Sequence, residues 1–215
     1  SQAGHERFHL EPGFYFRTLS NPRLTTSLLI FFLATFAFAN METTLALLAM
    51  SWYKFSKTDM SWLFTYIGFV MVFVQGGLIG RLSKKVGERP LITVGSCLVF
   101  LGLLLTVLLH SVPGLYLSMT LLAAGTSIIN PSNQSMTSRL ADQQQVGGVL
   151  GVGQSLSTLG RVLGPCAGGL AFQFLGVQFP YYVGAAVMLL VILLSLALPK
   201  LEKAQSSVEP AKAGV

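Results

Sequence analysis

The chain is 215 residues long, 52% hydrophobic and only 10% charged, with a formal net charge of +6. Soluble globular domains carry about 25% charged residues, so this set cannot cover a water-exposed surface, and lipid is the expected solvent. That excludes a soluble enzyme. It also turns the positive charge from a nucleic-acid signal into a topology signal.

Residues 1–23 are a polar, mixed lead-in, and "FYFRTL" within it suits a membrane surface. A membrane helix needs about 20 mostly apolar residues. The pattern predicts six, in order: Leu24–Ser51, Met60–Leu82, Pro90–Leu109, Leu115–Ser138, Val146–Phe174 and Tyr181–Pro199. Breakers or charges fill the connections "YKFSKTD", "SKKVGE", "HSVPG", "RLADQQQ" and "LGVQFP". Connections this short make consecutive spans antiparallel neighbours. The third and sixth spans are almost uniformly apolar and are expected to face lipid. The first, fourth and fifth carry polar groups and are expected to face something wet.

Basic residues orient the bundle. With the N-terminus cytoplasmic, the inner segments hold Arg7, Arg17, Arg23, Arg81, Lys84, Lys85, Arg89, Arg139, Lys200, Lys203 and Lys212, and the outer ones only Lys54 and Lys57. This asymmetry predicts cytoplasmic termini. Residues 200–215 form a cytoplasmic tail, expected to be disordered. The polar lead-in before six spans predicts a piece of a longer protein.

Two fully charged residues fall well inside the spans, Glu42 in the first and Arg161 in the fifth. A charge at the centre of a membrane helix costs about 2.5–3.5 kcal/mol on insertion scales. A partner, a water-filled cavity or protonation must offset that. Glu42 can take up a proton, which is what proton coupling requires; the alternative is a structural hydrogen bond to a neighbouring helix. Arg161 stays charged. It can hold an acidic partner, bind an anionic substrate or pin helix packing. Gln154, Thr158 and Arg161 share one face at i, i+4 and i+7.

Asn130, Asn133, Gln134 and Thr137 make a second polar stripe on the fourth span beside Pro131. Such groups line a substrate path or serve as interhelical glue. Asn40 and Gln75 are further path candidates. Gly153, Gly160, Gly164 and Gly168 give the fifth span a small-residue face suited to backbone contact, static or rocking, and Pro165 allows a bend. Cys97 and Cys166 read as packing residues. The sequence contains no GxxxxGK[ST] phosphate loop, no GxSxG elbow and no His/Cys cluster with metal-ligand spacing, since His5, His9 and His110 are scattered. No enzyme, cofactor or metal is expected.

The run "GVLGVGQSLSTLGRVLGPCAGG" resembles the antiporter motif of the major facilitator superfamily: glycine, eight residues, glycine, three residues, Gly-Pro, two residues, Gly-Gly. Gly151, Gly160, Gly164, Pro165, Gly168 and Gly169 fill every fixed position. "GRLSKKVGERPL" resembles the superfamily's cytoplasmic loop motif through Gly80, Leu82, Gly87 and Arg89, among the basic residues Arg81 and Lys85. Lys84 takes the acidic position and Glu88 a usually basic one, which argues against a switch salt bridge made by this loop.

The resemblance implies an all-α membrane protein: six transmembrane helices over residues 24–199, arranged as a half-bundle of two inverted three-helix repeats. It implies the C-terminal half of a twelve-helix transporter, similar to drug–proton antiporters of the tetracycline-efflux type, with residues 1–23 ending a central loop. The partners implied are lipid, an N-terminal six-helix half, a small-molecule substrate and protons; the location implied is a plasma or bacterial inner membrane. Helices one and four would line the cavity, where Glu42 and the Asn130 stripe lie. The glycine face of helix five would pack on the other half. The rival readings are a non-transporting membrane scaffold and a six-span homodimer.

Overall fold

The computed structural model describes residues 20–78, 82 and 86–199. Their regular structure is helical throughout. Helix α1 spans Pro22–Tyr53. Its start is fixed by Asn21, whose side chain accepts the Arg23 amide, with Pro22 pre-set for the first turn. It stops at Lys54, which takes the left-handed conformation at φ 57° and returns its N–H to Ala49.

A capping box opens α2, Lys57–Phe73. Ser56 accepts from the Asp59 amide while the Asp59 carboxylate accepts from the Ser56 amide. This helix continues into a π-helical turn, Val74–Leu78, with sequence VQGGL. Gly87, at φ 89°, leads into α3, Glu88–Leu108. Then follow α4, Val112–Leu140, α5, Val146–Leu175, and α6, Phe179–Ala197.

All six predicted spans form helices, most overrunning the expected limits by a few residues. Five are long and apolar enough to cross a membrane: α1, Lys57–Gly77, α3, α4 and α6. Helix α5, at 30 residues, qualifies by length; Gln154, Ser155, Ser157, Thr158 and Arg161 dilute its apolar character.

An odd number of antiparallel spans returns the chain on the opposite side, so α1–α3 and α4–α6 are inverted units. Their main contacts cross between units: α1 against α5 and α6, α3 against α4 and α6. Exchanging the units turns the α1–α6 contact into the α4–α3 contact, as the repeat requires. Buried Met41, Leu45, Leu103, Met119, Leu122, Tyr181 and Met188 fill the core between them.

Uniform greasiness misleads for α3. Its Val94, Leu101 and Leu108 are exposed, but Ile92, Gly95, Val99, Gly102 and Leu103 are buried. A Cβ on Gly95 would lie 2.9 Å from the Gly125 carbonyl oxygen, so the α3 and α4 backbones touch.

Arg23, Arg89 and Arg139 gather at one end of the bundle. Ser27 of α1 bonds Asn133 of α4, Glu88 of α3 pairs with Arg139 of α4, and Arg89 donates to the Leu196 carbonyl of α6. Lys54 and Lys57 lie at the opposite end, where α1 passes to α2.

Candidate functional site: a charged cavity between α1, α2, α4 and α5

A cavity of about 370 Å³ opens between α1, α2, α4 and α5. It brings together Glu42, Gln75, Asn130 and Arg161, from four helices. Gln75 owes its place to the π turn, where the helix carries an extra residue per turn; such turns recur at functional sites. Gln134 joins Gln75 and Asn130 in an adjoining groove.

Levels within the cavity follow from buried contacts. Cβ atoms on Gly160, Gly164 and Gly168 of α5 would meet, in order, the backbone oxygens of Phe32, Phe36 and Asn40 of α1. Equal steps in one direction mean that α1 and α5 run parallel and in register. The Gly160 position lies 3.5 Å from Thr35 Cβ, and Thr35 shares a 2.9 Å hydrogen bond with Ser157 of α5. Arg161 therefore sits at the height of Thr35. Glu42, seven residues further along α1, stands about 10 Å beyond it at 1.5 Å per residue.

Phe38 and Met41 line the wall between the two charges, with Ile67 of α2. Counting back along antiparallel α4 from the Ser27–Asn133 bond puts Thr126 near the Arg161 level and Asn130 one turn closer to the α1 N-terminus. Both charged residues are exposed on the cavity side, and no ion pair joins them; among the described residues the ion pair is Arg139–Glu88.

Other polar candidates lie elsewhere. Asn133 is fully buried: its amide donates to the Ser27 carbonyl at 3.0 Å, and its carbonyl accepts from Ser27 Oγ at 2.8 Å. Ser27 also reaches Thr137 at 2.7 Å. This cluster ties α1 to α4 and leaves Asn133 no cavity surface. Asn40 is likewise buried. It donates to the Pro180 carbonyl at 2.7 Å, anchoring the start of α6, and its own carbonyl oxygen abuts Gly168. Gln154 and Thr158 are exposed and continue the Arg161 stripe toward the start of α5, outside the cavity lining; Thr158 bonds back to the Gln154 carbonyl.

The glycine face of α5 departs from expectation. It packs on α1 of the same bundle, not outward against another half. At Gly164 a Cβ would lie 2.7 Å from the Phe36 oxygen and 3.0 Å from the Asn40 nitrogen. The motif's remaining glycines, Gly151 and Gly169, have nothing within 4 Å of a Cβ. Pro165 is accommodated inside a continuous α5.

Of the cytoplasmic loop motif, Gly80, Arg81, Lys84 and Lys85 lie outside the described residues. Glu88 lies inside and does form an ion pair. Only 4% exposed, it bonds Arg139 Nε at 3.1 Å and accepts from Ser135 Oγ at 3.1 Å. The residue that departs from the loop pattern thus joins α3 to α4. In the sequence both residues fall just outside the expected spans, as ordinary loop-end charges.

The Major Facilitator Superfamily model matches residues 27–214. The chain belongs to the Major Facilitator Superfamily. This facilitator chain is 32% identical over 166 residues to mouse major facilitator superfamily domain-containing protein 10, covering 77% of itself and 36% of that protein. It is 27% identical over 172 residues to multidrug resistance protein 2 of Bacillus subtilis, covering 79% and 42%. Its fold matches the crystal structure of the human organic anion transporter MFSD10 (TETRAN) with a TM-score of 0.73 at 26% identity, over 80% of this chain and 40% of that one. The POT family transporter PepTSo shares the fold at a TM-score of 0.73 and 16% identity. The chain spans well under half the length of each of these relatives. Family membership and apolar helices make it an integral membrane protein.

Chemically, the cavity of this facilitator chain offers one acid able to exchange a proton, one permanent cation, two amides that donate and accept, and an apolar wall.

Proposed function

We propose that this chain is the C-terminal half of a twelve-helix secondary transporter that moves a small molecule by alternating access, with Glu42 exchanging protons against the cargo. The observation that carries this reading is the convergence of Glu42, Arg161, Gln75 and Asn130 on one cavity inside a membrane bundle. Polar groups near the midplane are costly in lipid and are retained where cargo or protons pass. The names of the relatives, one a multidrug resistance protein and one an organic anion transporter, support small-molecule transport. Efflux by proton antiport fits a carboxyl that faces the cavity without an ion-pair partner. Both ends of the chain would be cytoplasmic, with the basic end of the bundle inward, and a second six-helix half would close the cavity.

Reconstituting the full-length protein in proteoliposomes tests this. Glu42→Gln is expected to abolish pH-gradient-driven flux while leaving the folded protein intact. Undiminished proton coupling in that variant would reject the role of Glu42. A fully assembled protein that moves no solute under any gradient would favour the scaffold reading instead.

A further inference from the structure

The two cavity charges raise a question that transport alone does not answer: what neutralises them? Among the described residues, Glu42 and Arg161 are the ionisable side chains that line the cavity. They stand on separate helices about 10 Å apart along the axis. The α1–α5 seam holds this backbone offset fixed, because its glycines already meet backbone. Among the described residues neither charge has an ion-pair partner, and in a site with low-dielectric walls an uncompensated charge is costly. A purely anionic cargo would satisfy Arg161 and leave an ionised Glu42 without a partner. A purely cationic one would do the reverse.

We infer that the cavity selects a dipolar cargo: a small zwitterion with an apolar body, its cationic end on the Glu42 carboxylate and its anionic end on the Arg161 guanidinium. This rests on the transport reading above and specifies its substrate class. The wall between the charges matches such a body, since Phe38 and Met41 lie on α1 between the Arg161 and Glu42 levels and Ile67 faces them from α2. Asn130 and Gln75 sit on the Arg161 side, where they can donate further hydrogen bonds to an anionic group. Glu42 can hold either a proton or the cargo's cationic end, so loading one displaces the other. Competition at a single carboxylate is thereby a sufficient basis for exchange. Among the described residues, Arg161 is the other charged group that lines the cavity with Glu42.

The probes are para-aminomethylbenzoate, a zwitterion, with benzylamine and benzoate as its two halves. Binding to the full-length protein in detergent is measured by titration calorimetry. The zwitterion is expected to bind at least about tenfold more tightly than either half. Glu42→Gln should reduce its affinity to that of benzoate, Arg161→Gln to that of benzylamine, and Arg161→Lys should retain most of it. Both sites face an open cavity without ion-pair partners, and a gel-filtration profile checks that the variants stay folded.

Equal affinity for all three probes, or zwitterion binding indifferent to Glu42→Gln, would overturn the proposal. Proton-driven flux in proteoliposomes separates the two readings. Flux without zwitterion preference sinks the dipolar cargo and leaves transport standing. Zwitterion preference without any flux sinks transport and leaves the binding site standing.

Discussion

Asn130 and Asn133 sit three residues apart on α4 and answer to different masters. Asn130 lines the cavity; Asn133 is locked to Ser27 by two hydrogen bonds in a buried cluster. Asn133→Ala should therefore destabilise the protein by about 1–3 kcal/mol, because it removes both buried hydrogen bonds that tie Asn133 to Ser27. Asn130→Ala should leave the melting temperature in detergent nearly unchanged and alter cargo binding instead. Equal melting shifts for the two would contradict this division. A sequence shows that a polar residue in a span is expensive, but not which neighbour meets that cost. Glu42, Arg161, Gln75 and Asn130 were legible as polar groups in apolar runs, and they share the cavity. Asn133 and Asn40 carry the same signal, yet their partners lie 106 and 140 residues away and tie helices together. The Glu88–Arg139 pair was hidden because both residues read as ordinary loop-end charges.

At the scale of the helix, α5 presents two kinds of glycine. Gly164 touches the α1 backbone, whereas Gly169 faces open space. Gly164→Ala should cost roughly 1–3 kcal/mol by forcing α1 and α5 apart. Gly169→Ala should be neutral or slightly stabilising, since alanine favours helix where nothing is displaced. Thermal unfolding of the two single variants, followed by circular dichroism, decides this; a neutral Gly164→Ala would mean that the seam is looser than its contacts imply. Four-residue spacing made the close-packing face visible in the sequence, because only small residues at every turn let backbones meet. It carried no information about which helix lies opposite, so the partner turned out to be α1. The π turn of α2 escaped notice too: Gly76 and Gly77 mark weak helix, but nothing in VQGGL distinguishes a widened turn from a break.

Across the whole molecule, cohesion is uneven. Only Met60, Leu63 and Ile67 are buried along the 17 residues of α2, while α4 buries residues along its full length. Trp62, Phe69, Val72 and Phe73 of α2 are largely exposed. Amides of α2 in this six-helix chain, held in detergent, should exchange with deuterium at least about tenfold faster than those of α4. Uniform protection across both helices would show that α2 is held by more than its few contacts. The number of helices was readable from apolar run length, which bilayer thickness dictates, and their inverted arrangement from the family resemblance. Relative tightness was not, since apolar side chains look alike whether they meet lipid or protein. One consequence follows from the in-register seam between α1 and α5. If these two helices can move only together, the spacing of the charges they carry stays constant through any larger rearrangement of the protein. Cargo length would then be gauged by a rigid caliper, set by three glycines that the cargo never touches.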